Sequence, residues 1–133
     1  KLTGDFFALG TSLRDGAYIA GGDVNGDGFG DLIAGGGSGA PPQVVGYSGA
    51  LLVQNTFTRF VDFNYGTNSK QGIRVAVKDL NNDRVGDVIV GSAPGAGSRI
   101  AAFNGKNLAG SATGNPFFDF ESYPGTIGGV FVG

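Results

Sequence analysis

The stretch GGDVNGDGFGDLIAGG, which begins at Gly21, places carboxylate and amide side chains at alternating positions. Oxygen atoms are the ligands that a hard cation such as Ca²⁺ prefers, at about 2.3–2.6 Å and about six to eight in number. A short loop supplies them when it coils so that alternate residues turn inward. The pattern therefore predicts a calcium-binding loop whose ligands are Asp23, Asn25, Asp27, the backbone carbonyl of Phe29, and Asp31.

The same pattern returns 56 residues later in DLNNDRVGD. The predicted ligands of this second loop are Asp79, Asn81, Asp83, the backbone carbonyl of Val85, and Asp87. Aspartate, asparagine and glycine also favour plain solvated turns, which is the alternative interpretation. Two loops in one register favour a metal. So does the crowding of six of the chain's eleven acidic residues into these loops, because carboxylates repel one another unless a cation neutralises them.

The residues that follow each loop exclude an EF-hand. That motif needs a glutamate at loop position 12 and a helix on each side. Position 12 is Ala34 in the first loop and Val90 in the second, and both lie in apolar runs typical of strands. The predicted ligand set therefore ends at position 9 of each loop.

The glycines of the first loop have no full counterpart in the second. Gly26, Gly28 and Gly30 are expected to supply the positive φ values that such a coil needs. In the second loop Asn82 replaces Gly26 and Arg84 replaces Gly28. Because arginine is strained at positive φ, we expect the second site to bind more weakly or to adopt a different backbone.

Composition limits the fold and the chemistry. The chain has 133 residues, of which 27 are glycine, and it lacks Cys, Met, Trp and His although 41% of it is hydrophobic. That hydrophobic fraction argues against disorder. Without His or Cys there is no Ser-His-Asp set, no thiolate nucleophile and no zinc site of the usual ligands. Lys and Arg are scattered and no long apolar segment occurs, so we expect no nucleic-acid partner and no membrane span.

The whole chain repeats at the spacing of the loops. Short β-branched runs divided by Gly, Pro and Asn predict strands rather than helices. The predicted strands are Ala17–Gly22, Asp31–Ala34, Gln43–Tyr47 and Leu51–Phe63, then Ile73–Lys78, Asp87–Val90, Arg99–Phe103 and a strand ending near Phe120. Four antiparallel strands in a unit of about 40–60 residues fit one blade of a β-propeller, so the predicted fold class is all-β.

The loop pattern, the apolar run and glycine that follow it, and the turns YSG and FNG resemble FG-GAP repeats over nearly the whole chain. These repeats are the blades of the integrin α-subunit β-propeller and of many bacterial secreted proteins. The resemblance implies calcium between the first two strands of each blade, a ring of typically seven blades, and an adhesion or recognition role outside the cell or at its surface. The units are a closing strand of a preceding blade (1–15), two repeats (16–71 and 72–128) and the opening strand of a next blade (129–133).

About two and a half blades cannot close a ring, since propellers have about four to eight. Two explanations remain open. The chain is a piece of a longer array, or copies of it assemble by strand exchange into an oligomer or filament. The expected partners are therefore further blades or copies of the chain, with a protein or glycan ligand on an exposed loop face.

The predicted metal is structural, because five protein ligands fill most of a coordination sphere whereas a catalytic metal keeps a position open. The chain is accordingly not predicted to be an enzyme. Two other functions remain open. A carbohydrate-binding module would use aromatic side chains, for which the candidates are Tyr18, Tyr47, Tyr65 and Tyr123. An enzyme would need carboxylates outside the loops, for which the candidates are Asp62, Asp119 and Glu121.

Overall fold

Two four-stranded antiparallel sheets make up the fold. The computed structural model describes residues 4–66, 70–110 and 114–133. The elements are β1 (Ala17–Gly22), β2 (Asp31–Gly36), β3 (Gln43–Tyr47), α1 (Gly49–Leu52), β4 (Arg59–Asn64), β5 (Ile73–Lys78), β6 (Asp87–Ser92), β7 (Arg99–Phe103), α2 (Gly105–Ala109) and β8 (Phe118–Glu121). One sheet has the order β1-β2-β3-β4 and the other β5-β6-β7-β8, so each is a meander. The predicted all-β class is confirmed.

Four predicted strands have the predicted limits, and one prediction was wrong. β1, β3, β5 and β7 begin and end where the sequence indicated, while β2 and β6 each extend two residues further, to Gly36 and Ser92. The run Leu51–Phe63 is not one strand, because α1 occupies its start and β4 begins only at Arg59. Asn55 turns the chain between them with a φ of 58°, which a strand cannot accommodate.

The two sheets share one hydrophobic core. Its buried residues come from both sheets, from the loop between β1 and β2, and from α2: Val24, Ile33, Val44, Val61, Ile73, Val75, Val88, Val90, Ala101, Phe103 and Leu108. The sheets approach closely at Gly35 on β2, where a Cβ would lie 2.3 Å from the carbonyl oxygen of Ile73 and 3.0 Å from the side chain of Val75 on β5. Only glycine at this position lets β5 lie directly against β2.

The last residues of the chain repeat this contact on the second sheet. A Cβ on Gly91 of β6 would lie 2.9 Å from the side chain of Val132 and 3.1 Å from the carbonyl oxygen of Val130. The Val130 N–H donates to the carbonyl of Ser92 at 2.8 Å. Residues 129–133 therefore lie on β6 as β5 lies on β2.

The two end segments were predicted to be strands, and in the described part of the chain neither forms one. Residues 5–9 and 129–133 both lie outside the strand ladders. A strand needs a neighbour with which to exchange backbone hydrogen bonds, and each segment instead packs on the face of a sheet. Each segment aligns with a strand of the repeat in sequence, but it lacks the backbone hydrogen-bond ladder that would define a strand.

Aromatic contacts also recur between successive units. The ring of Phe6 lies 5.0 Å from that of Tyr47 at the end of β3, and the ring of Phe63 on β4 lies 5.0 Å from that of Phe103 at the end of β7. Phe120 holds the corresponding place on β8 and is 50% exposed. The second sheet thus presents the same aromatic side chain that the two earlier segments use for packing.

A buried arginine lies between two aromatic rings. All three side chains come from the aligned position of successive repeats. Arg74 on β5 lies 5.4 Å from the ring of Tyr18 and 3.6 Å from the ring of Phe131. Its Nε and Nη1 have no hydrogen-bond partner among the residues that the structure describes. The cation–π contacts with the two rings stabilise this charge in the interior.

Candidate metal loops

The first loop joins β1 to β2 and is coiled around its own side chains. Oδ1 of Asp23 accepts from the N–H of Asp27 at 3.1 Å, and its Oδ2 accepts from the N–H of Gly28 at 2.8 Å. Oδ1 of Asn25 accepts from the N–H of Asp27 at 2.9 Å, and Oδ1 of Asp27 accepts from the N–H of Phe29 at 2.8 Å. Alternate side chains therefore turn inward, as predicted.

Asp31 fastens this loop to the rest of its unit. It is 2% exposed, and its Oδ2 accepts from the N–H groups of Val24 at 2.9 Å and Asn25 at 3.1 Å. Its Oδ1 accepts from the N–H of Gly49, at the start of α1, at 2.9 Å. Burial raises the pKa of Asp31 above its usual value; the three backbone donors act in the opposite direction, and the charge of Asp27 adds to the rise.

The second loop joins β5 to β6 and coils in the same way. Oδ1 of Asp79 accepts from the N–H of Asp83 at 3.2 Å, and its Oδ2 accepts from the N–H of Arg84 at 2.8 Å. Oδ1 of Asn81 accepts from the N–H of Asp83 at 2.9 Å, and Oδ1 of Asp83 accepts from the N–H of Val85 at 2.9 Å. The two loops have matching backbone paths despite their different sequences.

Asp87 repeats the role of Asp31 in the second unit. It is fully buried, and its Oδ2 accepts from the N–H of Leu80 at 2.9 Å. Its Oδ1 accepts from the N–H of Gly105, at the start of α2, at 3.1 Å. In each unit the carboxylate at loop position 9 therefore joins the loop to the short helix.

The backbone angles confirm two of the three glycine predictions. Gly26 and Gly28 have φ values of 78° and 86°, whereas Gly30 is not at positive φ. Asn82 and Arg84 adopt 59° and 68° in the second loop. Arginine in this region costs about 1–2 kcal/mol, but the coil is kept, so the second loop does not adopt a different backbone.

The loops lie side by side. The N–H of Gly86 donates to the carbonyl of Asp23 at 2.6 Å. A Cβ on Gly26 would lie 3.2 Å from the side chain of Val85, and a Cβ on Gly105 would lie 2.9 Å from the carbonyl of Val24. The two candidate sites thus belong to one connected region between the units.

The structure brings the predicted side-chain ligands together in part. Nδ2 of Asn25 lies 3.0 Å from Oδ2 of Asp27 and 3.4 Å from Oδ1 of Asp31. Both carboxylates therefore point toward this nitrogen. Nδ2 of Asn81 lies 3.1 Å from Oδ2 of Asp83. Within residues 4–66, 70–110 and 114–133, no three His, Cys, Asp or Glu side chains are grouped as a metal would require.

The chemistry of the donor set nevertheless fits calcium. Carboxylate and amide oxygens are hard ligands, and an amide side chain offers an oxygen as well as a nitrogen. To complete an oxygen set with Asp27 and Asp31, the Asn25 amide would turn over and give up the hydrogen bond that its Oδ1 accepts from the N–H of Asp27. The carbonyls of Phe29 and Val85 stay predicted ligands; the side chain of Phe29 is exposed and that of Val85 is buried.

Sequence reasoning missed a charge beside the second loop. Nζ of Lys106, on α2, lies 3.1 Å from Oδ2 of Asp83. The pKa of Asp83 is lowered: desolvation acts to raise it, but hydrogen bonds from the Val85 N–H, Lys106 and Asn81 and the charge of the lysine outweigh it. The aligned residue of the first unit is Ala50, so the difference between YSGALL and FNGKNL was the available signal.

Most of the candidate sugar-binding tyrosines are engaged in packing. Tyr47 is buried and its hydroxyl donates to the carbonyl of Ala8 at 2.6 Å. Tyr18 and Tyr65 are half-buried against the main core. Only Tyr123 of the four is largely exposed, at 66%. Among the four candidate tyrosines, Tyr123 is therefore the one whose ring is open to a sugar.

The candidate catalytic carboxylates form structural pairs. Asp62 accepts from Nε2 of Gln43 at 2.7 Å, and Asp119 accepts from Nε and Nη2 of Arg99 at 2.5 Å and 2.9 Å. The hydrogen bond from Arg99 lowers the pKa of Asp119. Both pairs join the third and fourth strands of a sheet, and Glu121 lies opposite Arg99 in the same ladder. This repetition favours a structural role for the carboxylates.

No protein-family model matches the chain, and neither a curated protein nor a solved structure matches it. The function is therefore argued from the loops and from the contacts between the units.

Proposed function

We propose that this chain is a calcium-stabilised β-propeller module of the FG-GAP type that serves as a structural or adhesion scaffold outside the cell or at its surface. The residues that would hold the two ions are Asp23, Asn25, Asp27, the carbonyl of Phe29 and Asp31, and then Asp79, Asn81, Asp83, the carbonyl of Val85 and Asp87. Bound there, calcium would neutralise the carboxylates and fasten the β1–β2 and β5–β6 hairpins.

The observation that carries this proposal is that two loops of different sequence coil alike around inward-facing carboxylates. In the first loop, no Lys or Arg side chain of the described residues pairs with Asp23, Asp27 or Asp31. Asp31 is also buried, and its charge is compensated there by hydrogen bonds from three backbone N–H groups rather than by a cationic side chain of the described residues. A divalent cation would satisfy all three carboxylates at once.

The contacts between units support a propeller arrangement. β5 packs closely against Gly35, and residues 129–133 pack in the same way against Gly91. In repeat architectures each unit buries a face of its neighbour through one recurring contact. The exposed Phe120 corresponds to aromatic side chains that are packed in the preceding units. A further unit of the same kind, from a longer chain or from another copy, is the partner that this face fits.

A scaffold role also agrees with the pairing of the carboxylates outside the loops. Asp62 and Asp119 are held by Gln43 and Arg99 across neighbouring strands, at equivalent positions of the two sheets. No helix in the described ranges is long and apolar enough to cross a membrane. The proposed partners are proteins or glycans.

Removing calcium should lower the melting temperature. At a calcium concentration a hundred times the dissociation constant, one site stabilises the fold by about 2.7 kcal/mol, which corresponds to roughly 10 °C for a domain of this size. We expect circular-dichroism melts in calcium, in excess chelator and after calcium is restored to show a reversible fall of that order. Magnesium at equal concentration is the control. Identical midpoints in all four conditions would refute the proposal.

A further inference from the structure

The strongest difference between the two loops is the charge that α2 brings to one of them. Nζ of Lys106 lies 3.1 Å from Oδ2 of Asp83, and the two side chains are 55% and 23% exposed. The first loop has Ala50 at the aligned position of α1. The attachment of the helices is the same, since Gly49 and Gly105 both donate to the carboxylate at loop position 9, at 2.9 Å and 3.1 Å.

We propose that the ammonium group of Lys106 is a resident counter-ion of the second loop, so that calcium occupies the first loop in preference and binds the second loop more weakly. This inference rests on the proposed function, because it concerns how the two predicted sites divide the metal. The lysine contacts a carboxylate that is itself a predicted ligand. A cation entering the second loop must therefore either displace the ammonium group or accept its repulsion.

Backbone strain at Arg84 does not explain the difference. The N–H of Arg84 donates to Oδ2 of Asp79 at 2.8 Å, and the N–H of Gly28 donates to Oδ2 of Asp23 at the same distance. The coil is therefore equally formed with either residue. Among the described residues, the ion pair that a predicted ligand carboxylate makes in the second loop and lacks in the first is the one with Lys106.

Reciprocal substitutions test the inference. Calcium titration of the whole chain by calorimetry should resolve one tight and one weaker site. Lys106→Ala should tighten the weaker site about tenfold, and Ala50→Lys should weaken the tight site by about the same factor, because an ammonium group a few ångströms from a divalent ion repels it. Lys70→Ala, in the link between β4 and β5, is the control for the change in net charge and should leave both sites unchanged.

The outcomes separate this inference from the proposed function. Calcium affinities of both sites that change less than twofold in Lys106→Ala would overturn the inference alone. The same conclusion would follow if Arg84→Gly tightened the second site and Lys106→Ala did not. Absence of calcium binding in every variant would overturn both. Lys106→Ala in chelator should also melt a few degrees below the unsubstituted chain, since the second loop then has no counter-ion. Its circular-dichroism spectrum at low temperature checks that it is folded.

Discussion

Gly35→Ala is expected to destabilise the fold by about 3 kcal/mol, because overpacking a tight interior contact costs about 1–3 kcal/mol and occasionally more. A methyl group at this position would lie 2.3 Å from the carbonyl oxygen of Ile73, which is backbone and cannot swing away. The contact lies between the two sheets, so its loss separates the units rather than one hairpin. Urea unfolding followed by circular dichroism measures the change, which corresponds to a fall in melting temperature of roughly 10 °C.

Gly128→Ala is the matched control for this prediction. A Cβ on Gly128 would meet nothing within 4 Å, and this glycine is not at positive φ. We expect it to change the free energy of unfolding by less than about 1 kcal/mol. An increase is the expected direction, because alanine restricts the conformations of the unfolded chain. Equal stability of Gly35→Ala and Gly128→Ala would show that β2 and β5 do not pack as described.

Asp31→Ala is expected to destabilise the fold by about 3 kcal/mol even when no calcium is present. The substitution leaves the N–H groups of Val24 and Gly49 buried without an acceptor and removes the acceptor of Asn25. Each buried donor left unsatisfied costs about 1–3 kcal/mol, while loss of a buried charge offsets part of the total. Urea unfolding in chelator gives the change directly.

Asp27→Ala separates the hydrogen-bonding role from the metal role. Asp27 is exposed, and among the described residues its side chain accepts from the N–H of Phe29 and from the side-chain amide of Asn25. In chelator we expect a loss below about 1 kcal/mol, whereas the stabilisation by calcium should be lost along with a ligand. If Asp31→Ala were as stable as Asp27→Ala in chelator, Asp31 would not be the anchor of the loop.

The strands and the loops could be predicted from the sequence because their causes are local. Short β-branched runs between glycines specify β1, β3, β5 and β7. Alternating Asp and Asn side chains specify the coil through hydrogen bonds that span only two to five residues. The sequence predicts position 9 as a ligand but does not predict its burial, because the burial depends on a hydrogen bond to a helix 18 residues further along the chain.

What the sequence did not show depends on ambiguous or distant contacts. The apolar run that begins at Leu51 suits a strand or a short helix, and periodicity cannot separate the two over so few residues. The recurrence of Gly35 and Gly91 was visible, but its cause is the close approach of another strand. Lys106 and Asp83 lie on different elements, so no spacing rule predicts that they form an ion pair.

The most direct test of calcium binding is a crystal structure of this chain grown in calcium, with anomalous diffraction data. We predict a strong anomalous peak in the first loop, about 2.3–2.6 Å from the oxygens of Asp23, Asn25, Asp27, Phe29 and Asp31, and a weaker peak or none in the second loop. The prediction would be contradicted by data that show no peak in the first loop and that leave the nitrogen of Asn25 between the carboxylates of Asp27 and Asp31.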